Sequence, residues 1–375
     1  MKSTRTVLFF LLLVTASLPF VANAQEGTQI EKVYLEKAVV LGVASSTTTV
    51  EPWSGITSPT QMLTIEILEG VEKGVTTTFQ NDFTQLKKGD VFYVRHSVGG
   101  FDPEMWSVSD AYRLDVLIGL AIVFVILLFM FGGIQGIRGL ASLIGSLFLI
   151  FYLLIPNIYA GHSPIWISLG VASLIIIVGS YITHGFNRTT TLAMLGMVLT
   201  VVITGIATYF VIDMAQLSGF TSEENVYLNF GTSGRIDMIG LLFGGIMIGL
   251  LGVLYDIAIG QAITVEELVV AGTHYTRKQV LTRALRIGRE HIGALVNTLA
   301  IAYVGASLPI LLLFQQADTS IAYLLNSELF ATEIIRILMG SIGLVLAVPI
   351  TTFLATYILY GKKIEKSTGH EGHSH

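Results

Sequence analysis

Long apolar runs follow one another along the chain after Arg113. Seven stretches carry few or no charges, namely residues 114–131, 140–158, 164–183, 190–214, 236–259, 292–314 and 334–360. Each is about long enough to cross a hydrocarbon layer of roughly 30 Å. Lipid offers no hydrogen-bond partners to a bare backbone, so runs of this length must be helical. The pattern predicts an α-helical polytopic membrane protein with about seven transmembrane helices.

Residues 25–112 show a different pattern. Short β-branched or alternating runs recur at 37–43, 62–68, 75–79 and 91–96, and glycine-containing turn signals separate them. This spacing is typical of a small, OB-like antiparallel barrel. The segment contains no catalytic or metal-binding constellation. We interpret it as a small β-rich docking or packing domain.

The first 24 residues have the pattern of an export signal. Lys2 and Arg5 precede an apolar run over residues 7–21, and Ala22-Asn23-Ala24 follows it as a small-x-small site. Cleavage after Ala24 is the preferred reading because the run is short for a membrane span. An uncleaved N-terminal anchor is the alternative.

Composition excludes a soluble protein and all thiol chemistry. Apolar residues make up 53% of the chain and charged residues only 13%, whereas soluble domains are about one-quarter charged. Cysteine does not occur in the sequence. Disulfides, thiol catalysis and thiolate metal sites are therefore excluded.

The distribution of basic residues predicts the orientation in the membrane. One set of connections carries almost all of them: Arg138, Arg188, the cluster Arg277, Lys278, Arg283, Arg286 and Arg289, and the tail residues Lys362, Lys363 and Lys366. The other set carries only Arg235 and several acids. By the positive-inside rule, we predict an extracytoplasmic domain at 25–112 and a transmembrane domain at 113–361. The loop 260–290 and the tail 362–375 are then cytoplasmic.

A carboxylate near the end of the fifth run is the first candidate for function. Asp256 is costly within a membrane helix unless it faces a partner or water. Asn297 and Thr298 in the next run are candidate partners, as are His291 and Arg289 at the entrance of that run. Asp256, Asn297, Thr298 and His291 form a candidate intramembrane polar path. Whether Asp256 is buried or lies at the membrane interface stays open.

Glycines in the fifth run predict close helix packing. Gly240 and Gly244, and likewise Gly245 and Gly249, are small residues four apart, a spacing that lets a second backbone approach closely.

The loop at 260–290 carries two capping-box patterns, at Thr264–Glu267 and at Thr276–Gln279. Together they predict a short helix, a break near Gly272, and a second helix that enters the sixth run. Arg283, Arg286 and Arg289 recur every three residues on that second helix. We expect this basic helix either to lie on anionic lipid or to dock a partner protein. For the histidines of the tail at 362–375, a solvated end is the preferred interpretation and weak binding of a divalent metal through the imidazoles is the alternative. No cofactor is expected.

Several segments resemble a known family. They are Gly-Gly-Ile-Met-Ile-Gly at 244–249, Arg-Ile-Gly-Arg-Glu-His-Ile at 286–292, Leu-Pro-Ile-Leu-Leu-Leu-Phe at 308–314, Gly-Ser-Ile-Gly at 340–343 and Val-Pro-Ile-Thr-Thr at 348–352. The chain from about residue 37 to 360 resembles the bacterial YibE/F-like membrane proteins. The resemblance implies a multi-pass protein of the bacterial plasma membrane with an exported N-terminal domain. It brings no established activity, so it transfers no catalytic residue.

Two hypotheses for function remain. In the first, the protein is a transporter or export accessory, with Asp256, Asn297 and Thr298 along the path. In the second, it is a non-catalytic scaffold in the lipid bilayer that holds other membrane proteins or further copies of itself. We expect no enzyme, because the chain has no His-Glu-x-x-His helix, Gly-x-Ser-x-Gly elbow or phosphate-binding loop. Nucleic-acid binding is not expected either, because the basic residues adjoin the membrane.

Overall fold

A computed structural model describes residues 32–50, 57–98, 105–272, 274–315 and 319–361. The predicted signal segment 1–24 and the tail 362–375 lie outside the described residues. The chain divides into two units, Met1–Val123 and Phe124–His375.

The first unit contains an antiparallel sheet of five strands. The strands are β1 (Lys32–Val50), β2 (Thr57–Glu69), β3 (Thr76–Asn81), β4 (Val91–Val98) and β5 (Met105–Ala111), in the order β3-β2-β1-β4-β5. This sheet confirms the β-rich segment. Three of the four predicted runs lie within a strand, and the run 75–79 begins one residue before β3. Strand β5 was not predicted, because serines and an aspartate interrupt the alternation of its apolar residues. The prediction also underestimated β1, whose polar second half is held by pairing with β2.

One face of the sheet holds an apolar core. Alternate side chains point inward, as expected for strands, and Leu63, Ile65 and Phe92 are fully buried there. Glu36 is a buried acid among these groups, only 4% exposed. Its Oε1 accepts hydrogen bonds from the backbone N–H groups of Val71 (2.6 Å) and Glu72 (3.2 Å). The carboxylate thereby holds the turn between β2 and β3.

The second unit begins within a long helical stretch. This helical stretch consists of α1 (Leu114–Leu149), a π-helical segment (Ile150–Leu154) and α2 (Ile155–Tyr159), which together have 46 residues. A straight helix of that length would measure about 69 Å, roughly twice the hydrocarbon thickness. Gly133 interrupts α1 with non-helical angles, φ 53° and ψ −144°. The first two predicted spans lie on either side of this glycine.

The other long helices are α3 (Pro164–His184), α4 (Arg188–Met214), α6 (Met238–Ala271), α7 (Arg277–Ala306) and α10 (Glu328–Leu359). Short helices α5 (Glu223–Gly231), α8 (Leu308–Gln315) and α9 (Ile321–Asn326) connect them. The chain between α7 and α8 bends by 62° just before Pro309. In the part of the chain that the structure describes, five helical stretches are long and apolar enough to cross a membrane, or six if the bent pair counts as one. The predicted number was seven, and the difference comes from the first stretch.

Helices α3, α4, α6 and α10 enclose the apolar core of the second unit, around Met197, Phe243 and Met247. Helix α7 packs against α6 and α10. At one end, the Glu328 carboxylate that begins α10 accepts hydrogen bonds from the backbone N–H (2.7 Å) and hydroxyl of Ser218 and from the N–H of Gly219 (2.9 Å). These bonds fix the connection that follows α4 to the start of α10.

The connection between α6 and α7 corrects one prediction and confirms another. The predicted helix start at Thr264 is wrong, because α6 continues to Ala271 and the Thr264 hydroxyl donates to the carbonyl of Gly260 (2.8 Å) within it. Burial of Val265 against α7 explains why the helix goes on. The predicted break at Gly272 and the capping box at Thr276 and Gln279 are confirmed.

Replacing Glu36 with Ala should destabilise the sheet by about 1–3 kcal/mol, because two backbone amides of the turn between β2 and β3 lose a charged acceptor. The free energy of unfolding can be followed in the full-length protein by the urea dependence of proteolysis within residues 32–112. Glu69→Ala is the matched control. Glu69 is an exposed acid that pairs with Lys37 at 3.4 Å, and surface pairs of this kind contribute about 0–1 kcal/mol. Equal losses in both variants would contradict the role given to Glu36.

Candidate functional site

Asp256 lies on an open face of α6. It follows the start of the helix by about 27 Å, and its side chain is exposed, as are Gly245, Gly249, Gly252 and Gly260 on the same face. No atom lies within 4 Å of the position a Cβ would take at Gly245, Gly252 or Gly260. The structure therefore places the carboxylate in the middle of a smooth, small-residue surface.

The other members of the predicted polar path lie on α7. Asn297, Thr298 and His291 are exposed, and the Thr298 hydroxyl donates to the carbonyl of Ala294 in its own helix (2.9 Å). No hydrogen bond or ion pair among the described residues connects these three side chains with Asp256. The residues of the predicted polar path thus lie on two helices that pack together, Asp256 on α6 and the other three on α7. Among the described residues, no hydrogen bond or ion pair joins the two groups.

The three arginines of the basic helix, Arg283, Arg286 and Arg289, are exposed on α7. The Arg283 guanidinium stacks over the Tyr275 ring, 4.4 Å from its centroid. This contact orients the Arg283 side chain. All three guanidinium groups stay exposed, so this surface of α7 is basic.

The glycines of α6 contact two different helices. A Cβ on Gly240 would lie 3.0 Å from Pro164 Cδ, and one on Gly244 would meet the Ser168 hydroxyl. Both contacts are with α3. A Cβ on Gly249 would meet the Tyr303 hydroxyl of α7, while Gly245 faces open space. Only glycine lets the neighbouring helices come this close.

A hydrogen-bonded group that sequence reasoning missed lies beside Asp256. The Tyr255 hydroxyl is 3.1 Å from the Gly179 carbonyl oxygen and 3.2 Å from Nδ1 of His184. A phenol has one proton, and a carbonyl can only accept, so the phenol donates to Gly179. Nδ1 of His184 must then donate to the phenol oxygen. The geometry therefore assigns the proton of a neutral His184 to Nδ1.

Polar groups from three helices meet around this phenol. The hydroxyls of Ser180 and Thr183 are buried and lie close to the phenol. From α1, Gln135 donates through Nε2 to the Thr183 carbonyl (3.1 Å), and Ser142 lies against Gly179. We call this set the polar junction: Gln135, Ser142, Ser180, Thr183, His184 and Tyr255. The one available sequence signal was a tyrosine directly before Asp256.

The polar junction can hold and pass a proton. Histidine is the side chain whose charge changes near neutral pH, and the phenol connects it to further hydrogen-bonding groups. Asp256 follows Tyr255 on the open face and supplies a second titratable group. The described residues contain no group of three or more His, Asp or Glu side chains that could hold a metal ion.

Gly244→Val should lower the free energy of unfolding of the helical unit by about 1–3 kcal/mol, because the added atoms overpack the contact with Ser168. Gly245→Val is the control, since it makes the same change one residue away where space is open. Thermal unfolding of the detergent-purified variants measures both. Equal destabilisation would show that helix propensity, and not packing against α3, decides the result.

Comparison with known proteins identifies a family. The family described as YibE/F-like protein matches residues 120–361. No curated protein matches the chain, and no solved structure matches it. The matched region contains α1 apart from its first residues, all the later helices and the whole polar junction. Because it makes up well over half of the sequence, the chain belongs to the YibE/F-like family.

Proposed function

We propose that this YibE/F-like protein is a transporter or export accessory that moves protons through its helical unit. The observation that carries the proposal is the hydrogen-bonded set Tyr255, His184 and Gly179 next to Asp256. The helices that hold it are apolar enough to cross a membrane. Ionisable residues in such segments are costly and usually serve function.

The proposal includes a membrane topology. We propose that the chain turns at Gly133, so that the 46-residue stretch crosses twice and the number of spans becomes seven. The non-helical angles at Gly133 and the nearby Arg138 support a cytoplasmic turn there. The OB-like sheet then lies outside the plasma membrane of a bacterium, and the C-terminus lies inside. Under this topology the polar junction is near the cytoplasmic ends of α1, α3 and α6.

The proton would be handled by neighbouring groups with different roles. His184 takes up a proton on Nε2, because Nδ1 already donates to Tyr255. Tyr255 holds the imidazole in place through its bond to Gly179. Asp256 exchanges protons on the open face of α6, where Asn297, Thr298 and His291 of α7 are the predicted polar neighbours. No step requires a bound cofactor or covalent chemistry.

Tyr255→Phe and Asp256→Asn should each slow proton flux by about 10-fold or more, since positioned proton-transfer groups contribute at least that much. The purified protein is placed in liposomes that contain a pH-sensitive dye, and the decay of an imposed pH gradient is followed. Tyr209→Phe is the matched control because Tyr209 is an exposed tyrosine on α4. Wild-type protein no faster than empty liposomes would contradict the proposal, as would an equal loss with Tyr209→Phe.

A second function is favoured by the surface of the sheet. Val33, Leu35 and Met105 are exposed, and the strand register places them together: Val33 pairs with Ser97, and Ser97 pairs with Met105. Exposed apolar patches of this kind mark protein interaction sites. The alternative proposal is a scaffold whose outer sheet face docks a partner protein.

A photo-crosslinking residue at position 35 tests this alternative in cells. We expect one discrete crosslinked product at Leu35 and none with the same residue at Thr78, an exposed position on β3. Identical patterns at both positions, or no product at position 35, would remove the docking function.

A further inference from the structure

Fully buried threonines line the interface between α4 and α10. Thr351 of α10 lies against Gly196 of α4, where a Cβ would be 2.5 Å from its hydroxyl oxygen. Further along, a Cβ on Gly343 of α10 would be 3.1 Å from the Thr204 hydroxyl of α4. The two contacts show that the helices run antiparallel. We call Thr200, Thr204 and Thr208 of α4, with Thr332 and Thr351 of α10, the hydroxyl seam; all five are 0% exposed.

Most hydroxyls of the seam have no hydrogen bond. Thr200 donates to the Gly196 carbonyl (2.8 Å). Thr204, Thr208, Thr332 and Thr351 make no hydrogen bond to any residue that the structure describes. Buried polar groups are normally paired, and threonine in a helix can usually satisfy itself with a carbonyl one turn back. Four unpaired hydroxyls in one interface therefore need a physical explanation.

The seam extends over most of a membrane thickness. Thr351 is level with Gly196, and Thr332 is near the end where Ser218 binds Glu328. On α4 this corresponds to about 27 Å, compared with about 30 Å of hydrocarbon. Within the helical unit, no described Asp, Glu, Lys, Arg or His is buried. The seam is neutral, so it suits water better than a charged solute.

We infer that the hydroxyl seam is a water-accessible path that is closed in this structure and opens when α4 separates from α10. In the closed state the hydroxyls lack partners, and in the open state water supplies them. Successive threonines on α4 are about 6 Å apart, a distance that one water spans between two hydroxyls at about 2.8 Å each. The claim that this water carries protons rests on the proposed function. The claim that water enters the seam does not.

Glycines opposite the hydroxyls make the opening physically reasonable. Gly196 and Gly343 have no side chains, so α4 and α10 approach each other closely at these two contacts. The bonds of Glu328 with Ser218 and Gly219 hold the two helices together at one end. At the Gly196 contact the nearest group is the Thr351 side chain, so separation there needs no change in a large buried side chain.

Cysteine labelling tests the inference cleanly because the chain has no native cysteine. Thr204→Cys and Thr208→Cys are prepared in the full-length protein in liposomes and treated with a charged, water-soluble methanethiosulfonate. Ala172→Cys and Ala258→Cys, also at 0% exposed positions, are controls within the apolar core. We expect the two seam cysteines to react about 10-fold faster or more. Equal rates in properly folded variants would overturn the inference.

A reversible lock separates this inference from the proposed function. A Cβ at Gly196 would lie 3.2 Å from Thr351 Cβ, close to the roughly 3.5–4.5 Å of a disulfide. Oxidation of Gly196→Cys/Thr351→Cys should stop proton flux, and a reductant should restore it. Labelling of the seam without any wild-type flux would retain the seam and remove the proposed function. Flux with an unlabelled seam would remove the seam and retain the proposed function. Flux that the lock does not change, with a labelled seam, would show that protons do not pass along the seam.

Discussion

Polar groups in an apolar surrounding must find partners, and this constraint organises the second unit. The backbone meets it by forming helices over almost the whole described region. Among the buried polar side chains, some find hydrogen-bond partners and others do not. At the polar junction, Tyr255 uses its hydroxyl to join Gly179 of α3 with the imidazole of His184. In the hydroxyl seam, four threonines do not meet this constraint. Gln261 and Ser168 are further buried polar side chains without a hydrogen bond to any described residue. The two proposals come from the polar junction and the hydroxyl seam.

Helix α6 connects the packing of the bundle with its chemistry. One side carries Gly240 and Gly244, which allow α3 to approach and so bring Gly179 and His184 within reach of Tyr255. The opposite side carries Asp256 among glycines with open space around them. Membership of the YibE/F-like family places this helix within the matched region but supplies no activity. Function must therefore be argued from these side chains themselves.

Local patterns in the sequence predicted much of the fold. Alternation located four strands, and the capping box at Thr276 located the start of α7, since both signals involve residues close in the chain. The same reasoning failed at Thr264, where contacts of Val265 with α7 extend α6 through an equally good capping pattern. The seven predicted spans stay a prediction: the first two lie in one helical stretch, which Gly133 interrupts.

The candidate site was predictable only in part. Asp256 was visible in the sequence because a carboxylate within an apolar run stands out. The bond of Tyr255 to His184 was not, since it joins residues 71 positions apart and depends on the packing of α3 against α6. The threonines of the seam are ordinary helix residues one by one, and only the register of α4 against α10 puts them in one line.

The central claim is that His184 exchanges a proton while Tyr255 holds its ring. Nitrogen-15 NMR of histidine-labelled protein in lipid bilayers tests it most directly, using the signal lost in His184→Gln. The account predicts a neutral ring with its proton on Nδ1, converting to imidazolium on acidification. A proton on Nε2, or a signal that does not change with pH, would contradict it.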